Sequence, residues 1–186
     1  MIRLFVAIPI PYEVKLRISG IIGEFQKKFP NFSDIKWTTK ENWHLTVSFL
    51  GDQPETAIPF IEKSLQILPK NLFKISFNRF VFGPSAKMPR MIWLETNNET
   101  SRQINLIKSK LEDELIKNGV KWDRGIGPYR GHLTLARFNE MPRNIEKNVI
   151  KEFFLSFNMA SLDLMRSNLL RSGPVYTKIF AIDYGS

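Results

Sequence analysis

Two copies of the tetrapeptide His-Leu-Thr-X, in which X is a branched apolar residue, contain both histidines of the chain. The first copy runs from His44 to Val47 and the second from His132 to Leu135. They begin 88 positions apart in a chain of 186 residues. A spacing close to half the chain length is typical of a duplicated half-domain, so the pair constrains the fold as well as the chemistry.

Each copy lies in a segment with the composition of a β-strand. Residues 43–50 and 131–138 are rich in β-branched and aromatic side chains, and Gly51-Asp52 predicts a turn after the first. Alternation along a pleated strand predicts one face formed by His44, Thr46 and Ser48, and an opposite face formed by Leu45, Val47 and Phe49.

The second strand is expected to alternate in the same way. His132, Thr134 and Ala136 then share a face. Arg137 falls with Leu133 and Leu135 on the other, unless a bulge redirects it.

Two histidines paired with two threonines suit metal-independent chemistry on a phosphodiester. Hydrolysis needs one group to deprotonate the nucleophile and another to protonate the leaving oxygen, and imidazoles do both near neutral pH. The hydroxyls of Thr46 and Thr134 can donate to non-bridging phosphoryl oxygens. A lone histidine on an amphipathic strand is usually only structural, but the matched pair favours catalysis.

The charge of the chain favours a polyanionic partner. The formal net charge is +9 and the isoelectric point is about 9.8, which attracts nucleic acid without singling out RNA. Basic residues are scattered, as on an ordinary solvated surface. The clusters in the loops 87–90 and 123–130 are the best placed to rim a cleft, and they include Arg90.

Several site and protein classes lack support in the sequence. The chain has no cysteine and two histidines 88 positions apart, so we expect neither disulfides nor a metal centre. Gly125-Ile126-Gly127 indicates a turn, not a nucleotide fingerprint, and we expect no cofactor. Met1 leads straight into an apolar strand, without a signal peptide or an apolar run that could span a membrane, which predicts a cytoplasmic protein.

Hydrophobic periodicity predicts alternating strands and helices without a linker. Helices are expected around the apolar stripe from Val14 to Phe25, ended by Pro30; from 51–54 to about Leu68, with Pro59 in the first turn; around Ile104, Ile107, Leu111 and Leu115, ended by Asn118-Gly119; and from Pro142 or Asn144 to about Glu152. The remaining strands are expected at residues 2–8, 73–82, 91–96, 158–170 and 175–182.

The aromatic residues divide into two groups. Six are expected to serve packing only, because they fall on apolar faces of predicted elements: Phe5, Phe25, Phe49, Phe77, Trp93 and Phe180. Tyr12, Tyr129 and Tyr176 lie in loops or near strand ends. Of these, Tyr129 is the best candidate to stack on a nucleobase, because it lies beside the second motif.

The motifs together resemble the two-histidine phosphoesterase superfamily, and the whole chain is similar to its RNA 2′,3′-cyclic phosphodiesterase branch, also called 2′-5′ RNA ligase. The resemblance runs nearly from end to end, through the segments 1–8, 35–37, 42–51, 82–85, 89–93, 128–137 and 173–176. One departure is visible: Gly131 stands where a proline is expected before the second histidine, which predicts a looser start to that strand.

The resemblance implies an α+β fold of two pseudo-symmetric lobes. Each lobe would contribute an antiparallel sheet flanked by helices and one His-x-Thr-x strand facing a central cleft, all within a single bilobal domain of residues 1–186. It also implies a monomer.

The resemblance further implies hydrolysis of a 2′,3′-cyclic phosphate at an RNA or oligonucleotide end to a 2′-phosphate. His44 would be the general acid and His132 the general base, and ligation would exchange these roles. Thr46 and Thr134 would position the phosphate. Arg137 is expected to act as a charge clamp, or alternatively to form only a structural ion pair.

Two alternatives stay open from the sequence. Another reaction of the superfamily, such as cleavage of 2′-5′ linkages or 3′ exonucleolytic transesterification, would use the same four residues with a different pocket. A non-catalytic RNA-binding domain would use the basic loops and leave the histidines dispensable.

Overall fold

In the described part of the computed structural model, nine strands form two antiparallel sheets that three α-helices flank. The structure describes residues 1–28, 35–85, 87–125, 129–139, 152–171 and 173–185, without the side chains of residues 152 and 153. The elements are β1 Ile2–Pro9, α1 Tyr12–Lys28, β2 Lys36–Trp37, β3 His44–Gln53, α2 Ile58–Gln66, β4 Lys74–Gly83, β5 Met91–Thr96, α3 Asn98–Lys117, β6 His132–Arg137, β7 Glu152–Asn158, β8 Ser161–Leu170 and β9 Gly173–Asp183.

The strands are divided so that each sheet receives one motif strand. The first sheet has the order β3-β1-β8-β9 and the second the order β2-β6-β5-β4-β7. The motif strand β3 pairs with β1, and the motif strand β6 pairs with β5. Strands β3 and β6 also contact each other between the sheets. The predicted α+β class, with paired antiparallel sheets and flanking helices, is confirmed.

One apolar core joins both sheets and the three helices. In β1, Leu4, Val6 and Ile8 are buried in it. In α3, the predicted stripe of Ile104, Ile107, Leu111 and Leu115 is buried, and removing each such side chain from water stabilises the fold by about 1.5–3 kcal/mol.

The helix ends follow from local chemistry. Asn97 caps α3, because its side-chain oxygen accepts from the Thr100 N–H at 2.8 Å. Gly119 follows the helix with φ of +74°, a conformation that favours glycine, so the predicted stop at Asn118-Gly119 is confirmed. Pro59 lies in the first turn of α2, also as predicted.

The predicted start of the second helix is wrong. Strand β3 continues through Gly51 to Gln53, and α2 begins only at Ile58. Leu50 is an extra residue in the pairing of β3 with β1, since Leu4 faces Gly51 while Phe5 faces Phe49. With φ of +66°, Gly51 absorbs this bulge without leaving the sheet.

Two short strands were not predicted. Strand β2 has two residues, too few for a periodic signal, and it exists by pairing with β6. Strand β7 pairs with β4 and buries Leu155 and Phe157. The helix predicted from Pro142 or Asn144 lies almost wholly outside the described residues, as does Pro30. Within the described ranges, no helix is long and apolar enough to cross a membrane.

Candidate active site

His44 lies at the start of β3 with one ring nitrogen fixed by the main chain. Its Nδ1 is 2.7 Å from the carbonyl oxygen of Asn42, which can only accept, so Nδ1 carries the hydrogen and Nε2 is left for chemistry. Asn42 is itself anchored, because its side-chain amide donates to the carbonyl of Pro174 at 2.8 Å. Phe5 and Tyr176 flank the imidazole, with ring centroids 4.8 and 5.1 Å away.

His132 repeats this hydrogen bond in the second sheet. Its Nδ1 is 2.8 Å from the carbonyl oxygen of Arg130, again two residues earlier in the chain. The indole of Trp93 stacks on the imidazole with a centroid distance of 3.9 Å. On Gly83 a Cβ would lie 2.5 Å from the Trp93 indole, so the indole can take this position because residue 83 has no side chain.

The start of the second motif strand is held by hydroxyl groups. Gly131 donates its N–H to Ser101 Oγ at 3.2 Å, a bond that proline could not make. Its carbonyl accepts from the Thr96 N–H at 2.9 Å and from the Thr96 hydroxyl at 3.1 Å. These three bonds anchor the strand start, and the looser start expected from glycine in place of proline stays a prediction.

Equivalent bulges shape the two motif strands. Val47 is the extra residue in the pairing of β3 with β1, and Leu135, 88 positions later, is the extra residue in the pairing of β6 with β5. Each bulge reverses the alternation beyond it. Phe49 and Arg137, five residues after the respective histidines, consequently line the same cleft as the histidines.

These changes correct the predicted strand faces. Phe49 is 65% exposed on the cleft side and does not serve packing only, whereas Ser48 is buried opposite Val6 of the core. Arg137 lies on the cleft side, which is the alternative expected if a bulge redirects it. Trp93 is buried as predicted, but it also contacts a histidine.

A cleft of about 430 Å³ joins the residues of both motifs. It is lined by Lys36, Trp37, Thr38, Thr39, Asn42, His44, Thr46, Phe49, Met91, Trp93, His132, Leu133, Thr134, Arg137, Gly173, Pro174 and Tyr176. Two imidazoles, two threonine hydroxyls and a guanidinium thus face one space that also has aromatic walls. Such a set can move protons at two positions around one anion.

The internal repeat and the fold agree with known proteins. A sequence profile of the LigT-like phosphoesterases matches the chain twice, over residues 8–93 and 94–176. The chain belongs to this family. Among its curated relatives, an RNA 2′,3′-cyclic phosphodiesterase of Thermotoga maritima is 31% identical over 186 residues, covering 98% of this chain and 95% of the relative. One of Archaeoglobus fulgidus is 27% identical over 177 residues, covering 94% and 96%.

Solved structures show the same LigT-like fold. TT0787 of Thermus thermophilus is 25% identical and superposes with a TM-score of 0.78, covering 98% of both chains. E. coli LigT in complex with 3′-AMP is 20% identical and has a TM-score of 0.77, covering 98% of this chain and 97% of its own. At that identity the similarity to E. coli LigT supports the fold alone.

Burial lowers the pKa of both histidines in the LigT-like cleft. The pKa of His44 is lowered to about 4, first by desolvation and then by the positive charges of Lys15 and protonated His132, against the opposing effect of the Asn42 carbonyl. Desolvation also lowers the pKa of His132, which Arg130 and Arg137 lower further and Glu95 raises. Both rings are therefore neutral at pH 7.

Tyr129 and Arg90 do not join the cleft lining. The Tyr129 ring packs against the core, its hydroxyl donates to the Thr46 carbonyl at 2.7 Å, and burial raises its pKa. The phenol thus ties the second motif loop to the first motif strand, which corrects its predicted role in base stacking. The Arg90 side chain is exposed just before β5, and its carbonyl accepts from the Phe138 N–H at 3.0 Å.

Arg137 lines the cleft beside Met91. Its Nη1 lies 3.4 Å from Met91 Sδ, and in the described part of the chain no carboxylate pairs with its guanidinium. Among the described residues, Arg137 is therefore a cleft residue without an ion pair, and its role as a charge clamp stays a prediction.

Sequence reasoning did not assign some residues to the cleft, because their position depends on the other repeat or on a distant strand. Phe49 is the repeat equivalent of Arg137, and this correspondence was available from the offset of 88 positions. Pro174 comes from β9, whose position beside the motif strands has no local signal in the sequence. Tyr176, also in β9, is one of the tyrosines that the sequence places near a strand end, but the sequence favours Tyr129 over it. Among the described residues, no group of three or more histidine, cysteine, aspartate or glutamate side chains is arranged to hold a metal ion.

Proposed function

We propose that this LigT-like phosphoesterase hydrolyses the 2′,3′-cyclic phosphate at the end of RNA or a short oligonucleotide to a terminal 2′-phosphate, without a metal ion. The observation that carries the proposal is the matched pair of Nδ1 hydrogen bonds, at 2.7 and 2.8 Å, which leave an Nε2 atom on each side of one cleft. The names of the curated relatives support the same reaction.

The two histidines divide the proton transfers. His132 Nε2 takes a proton from water as the water oxygen attacks phosphorus, and protonated His44 gives a proton to the departing 3′ oxygen. The P–O3′ bond breaks while the bond to the water oxygen forms, and the phosphate stays on O2′. When an RNA 5′ hydroxyl attacks phosphorus in place of water, the same P–O3′ bond breaks and a 2′-5′ linkage forms, with the histidine roles unchanged. The roles exchange only when the 3′ oxygen attacks that linkage and the 5′ oxygen leaves, which corrects the expectation that ligation itself exchanges them.

Neutral and cationic donors hold the charge of the phosphate. The hydroxyls of Thr46 and Thr134 donate to the non-bridging oxygens, and the Arg137 guanidinium supplies the positive charge. Phe49, exposed on the cleft side beside Phe5 with a ring distance of 6.0 Å, offers a face on which the terminal base stacks.

The decisive experiment replaces each histidine separately. His44→Ala and His132→Ala should each lower kcat on a nucleoside 2′,3′-cyclic phosphate by at least about 100-fold, because each removes a different proton-transfer group. Circular dichroism checks that the fold is kept. The parent should keep its activity in excess EDTA.

The same experiment identifies the competing functions. Near-parental turnover in either variant would exclude the two-histidine mechanism. Activity lost in EDTA and restored by a divalent ion would exclude metal-independent catalysis. RNA binding without turnover of any cyclic or 2′-5′-linked substrate would support the binding domain instead.

A further inference from the structure

A row of charged residues continues the catalytic face of the second sheet beyond His132. Glu95 in β5 pairs directly with His132 in β6, and Arg79 in β4 pairs directly with Glu95. Directly paired residues of antiparallel strands point to the same face. Arg79 shares this face because Asn78 is an extra residue in β4, which separates Arg79 from buried Phe77.

Glu95 holds two arginines in fixed positions. Its side chain is 6% exposed, and its Oε2 accepts from Arg79 Nε at 2.6 Å. Its Oε1 accepts from Arg130 at 3.0 Å from Nε and 2.5 Å from Nη2. The Arg79 and Arg130 side chains remain 51% and 52% exposed.

The two arginines keep positive charge and N–H donors that can bind an anion. Among the side chains that the structure describes, one carboxylate faces two guanidiniums, so these three groups together carry a net positive charge. Arg79 contacts Glu95 through Nε, and each guanidinium has five N–H groups. Within the side chains described, no acceptor takes the Nη donors of Arg79, so they are left for a bound anion. A buried carboxylate that aligns guanidiniums in advance lowers the entropy cost of binding an anion.

The surroundings suit a sugar-phosphate backbone. A recess of about 550 Å³ beside the two arginines is lined by hydroxyl, amide and guanidinium groups, among them Asn98, Ser101 and Asn105. Arg79 lies two strands from His132, which is about 10 Å at the usual strand spacing. The first sheet has no counterpart, because Pro9 is the residue that pairs with His44 there.

We propose that Arg79 and Arg130, held by Glu95, bind the phosphate on the 5′ side of the terminal nucleoside of the RNA substrate. The proposal rests on the proposed function, since it takes the cyclic phosphate to lie between the two histidines. It makes the protein selective for oligonucleotide ends over cyclic mononucleotides.

The test compares three substrates that differ at this one phosphate. They are adenosine 2′,3′-cyclic phosphate, the diadenosine dinucleotide ending in a 2′,3′-cyclic phosphate, and the same dinucleotide with an uncharged methylphosphonate linkage. The parent should have a KM for the charged dinucleotide about tenfold below the KM values for the other two, as expected for one charge-assisted hydrogen-bonding site. The methylphosphonate arm separates the charge from stacking of the second base.

Arg79→Gln tests the site itself. It should remove the tenfold advantage of the charged dinucleotide while Arg130 continues to neutralise Glu95 and hold the fold. Arg130 is left unchanged, because loss of its side-chain bonds to Glu95 would disturb the main-chain carbonyl that holds His132. Arg3→Gln is the matched control, since Arg3 is an exposed arginine of the first sheet that pairs with Asp52 at 3.2 Å. This control should keep the parental preference.

The outcomes separate this proposal from the proposed function. Equal KM values for the charged and uncharged dinucleotides in the parent, or an equal loss by Arg79→Gln on all three substrates, would overturn the phosphate site alone. If the parent hydrolyses none of them, the proposed function fails. Fluorescence anisotropy with a labelled diadenosine 2′-phosphate then still tests the site, which is refuted if Arg79→Gln binds this probe as tightly as the parent.

Discussion

The two histidines have the same hydrogen-bonding scheme but different neighbours. His44 is flanked by Phe5 and Tyr176, and its pKa is further lowered by Lys15. His132 lies on the Trp93 indole, and the carboxylate of Glu95 raises its pKa against the effect of burial. Their Nδ1 bonds to main-chain carbonyls could not be derived from the sequence, because they depend on the turn before each strand.

These pKa shifts predict an acidic pH optimum for the free enzyme. The proposed mechanism needs protonated His44 and neutral His132, and this form occurs only in the enzyme that holds a single proton on the pair. Since the singly protonated enzyme forms as the pH falls toward the depressed pKa of His132, kcat/KM should rise over that range, even though most of this proton lies on His132. It should fall again near pH 4, where His44 also gains a proton. The kcat profile should lie at higher pH, because the bound phosphate anion favours imidazolium. A kcat/KM maximum above pH 7 would contradict the lowered pKa values of His44 and His132 in the free enzyme.

Replacing Lys15 tests the lowered pKa of His44, and replacing Arg17 on the same helix is the matched control. Lys15→Gln removes a positive charge that lowers the pKa of His44, so the acidic limb of the kcat/KM profile should move to higher pH. Arg17→Gln changes the charge of the same helix equally on an exposed side and should leave that limb in place.

The threonines permit a substitution that keeps shape and removes a donor. Thr46→Val and Thr134→Val should each lower kcat on a cyclic mononucleotide by about 100- to 1000-fold, the range for loss of one donor to a developing charge. Thr177→Val, on β9 and outside the cleft lining, should leave kcat unchanged. Unchanged kcat in both motif variants would remove the threonines from phosphate binding.

At the scale of elements, bulges determine which residues reach the cleft. Alternation correctly placed His44, Thr46, His132 and Thr134, because these residues precede the bulges. It failed at Phe49 and Arg137, which follow them. A bulge depends on the partner strand, so sequence periodicity predicted the buried stripe of α3 but not the direction of these two side chains.

Gly83 should be sensitive to a single methyl group. In Gly83→Ala the Cβ would overlap the Trp93 indole, which lies between Gly83 and His132, so the indole must shift against the catalytic ring. We expect kcat to fall by about tenfold or more, since misplaced catalytic groups are costly. Gly20→Ala, in α1 with nothing within 4 Å of the added carbon, should keep kcat and stabilise the fold by about 0.5–1 kcal/mol. Equal kcat in the two variants would exclude positioning by Trp93.

At the scale of the whole molecule, the cleft depends on contacts between distant segments. The Tyr129 hydroxyl reaches the Thr46 carbonyl across 83 positions of sequence, and the Asn42 amide reaches the Pro174 carbonyl across 132. Composition and periodicity could not predict either contact, because both are set by the packing of the two sheets. The resemblance predicted the shared architecture, and the geometry shows how this chain builds it.

The net charge of +9 predicts that long RNA and cyclic mononucleotides respond differently to salt. Binding of single strands should weaken with a slope of log K against log[salt] near −0.7 per neutralised phosphate, whereas a mononucleotide neutralises few charges and should change little.

Lys87→Glu with Arg90→Glu places negative charge beside the start of β5, so it should weaken long-RNA binding and reduce this slope. Turnover of a cyclic mononucleotide should persist, because neither side chain lines the cleft. Lys63→Glu with Lys110→Glu, exposed on α2 and α3, gives the same net charge as a control. If both double variants weaken long RNA equally, the attraction comes from overall charge; a larger loss from the Lys87 and Arg90 pair places the RNA path along the loop before β5.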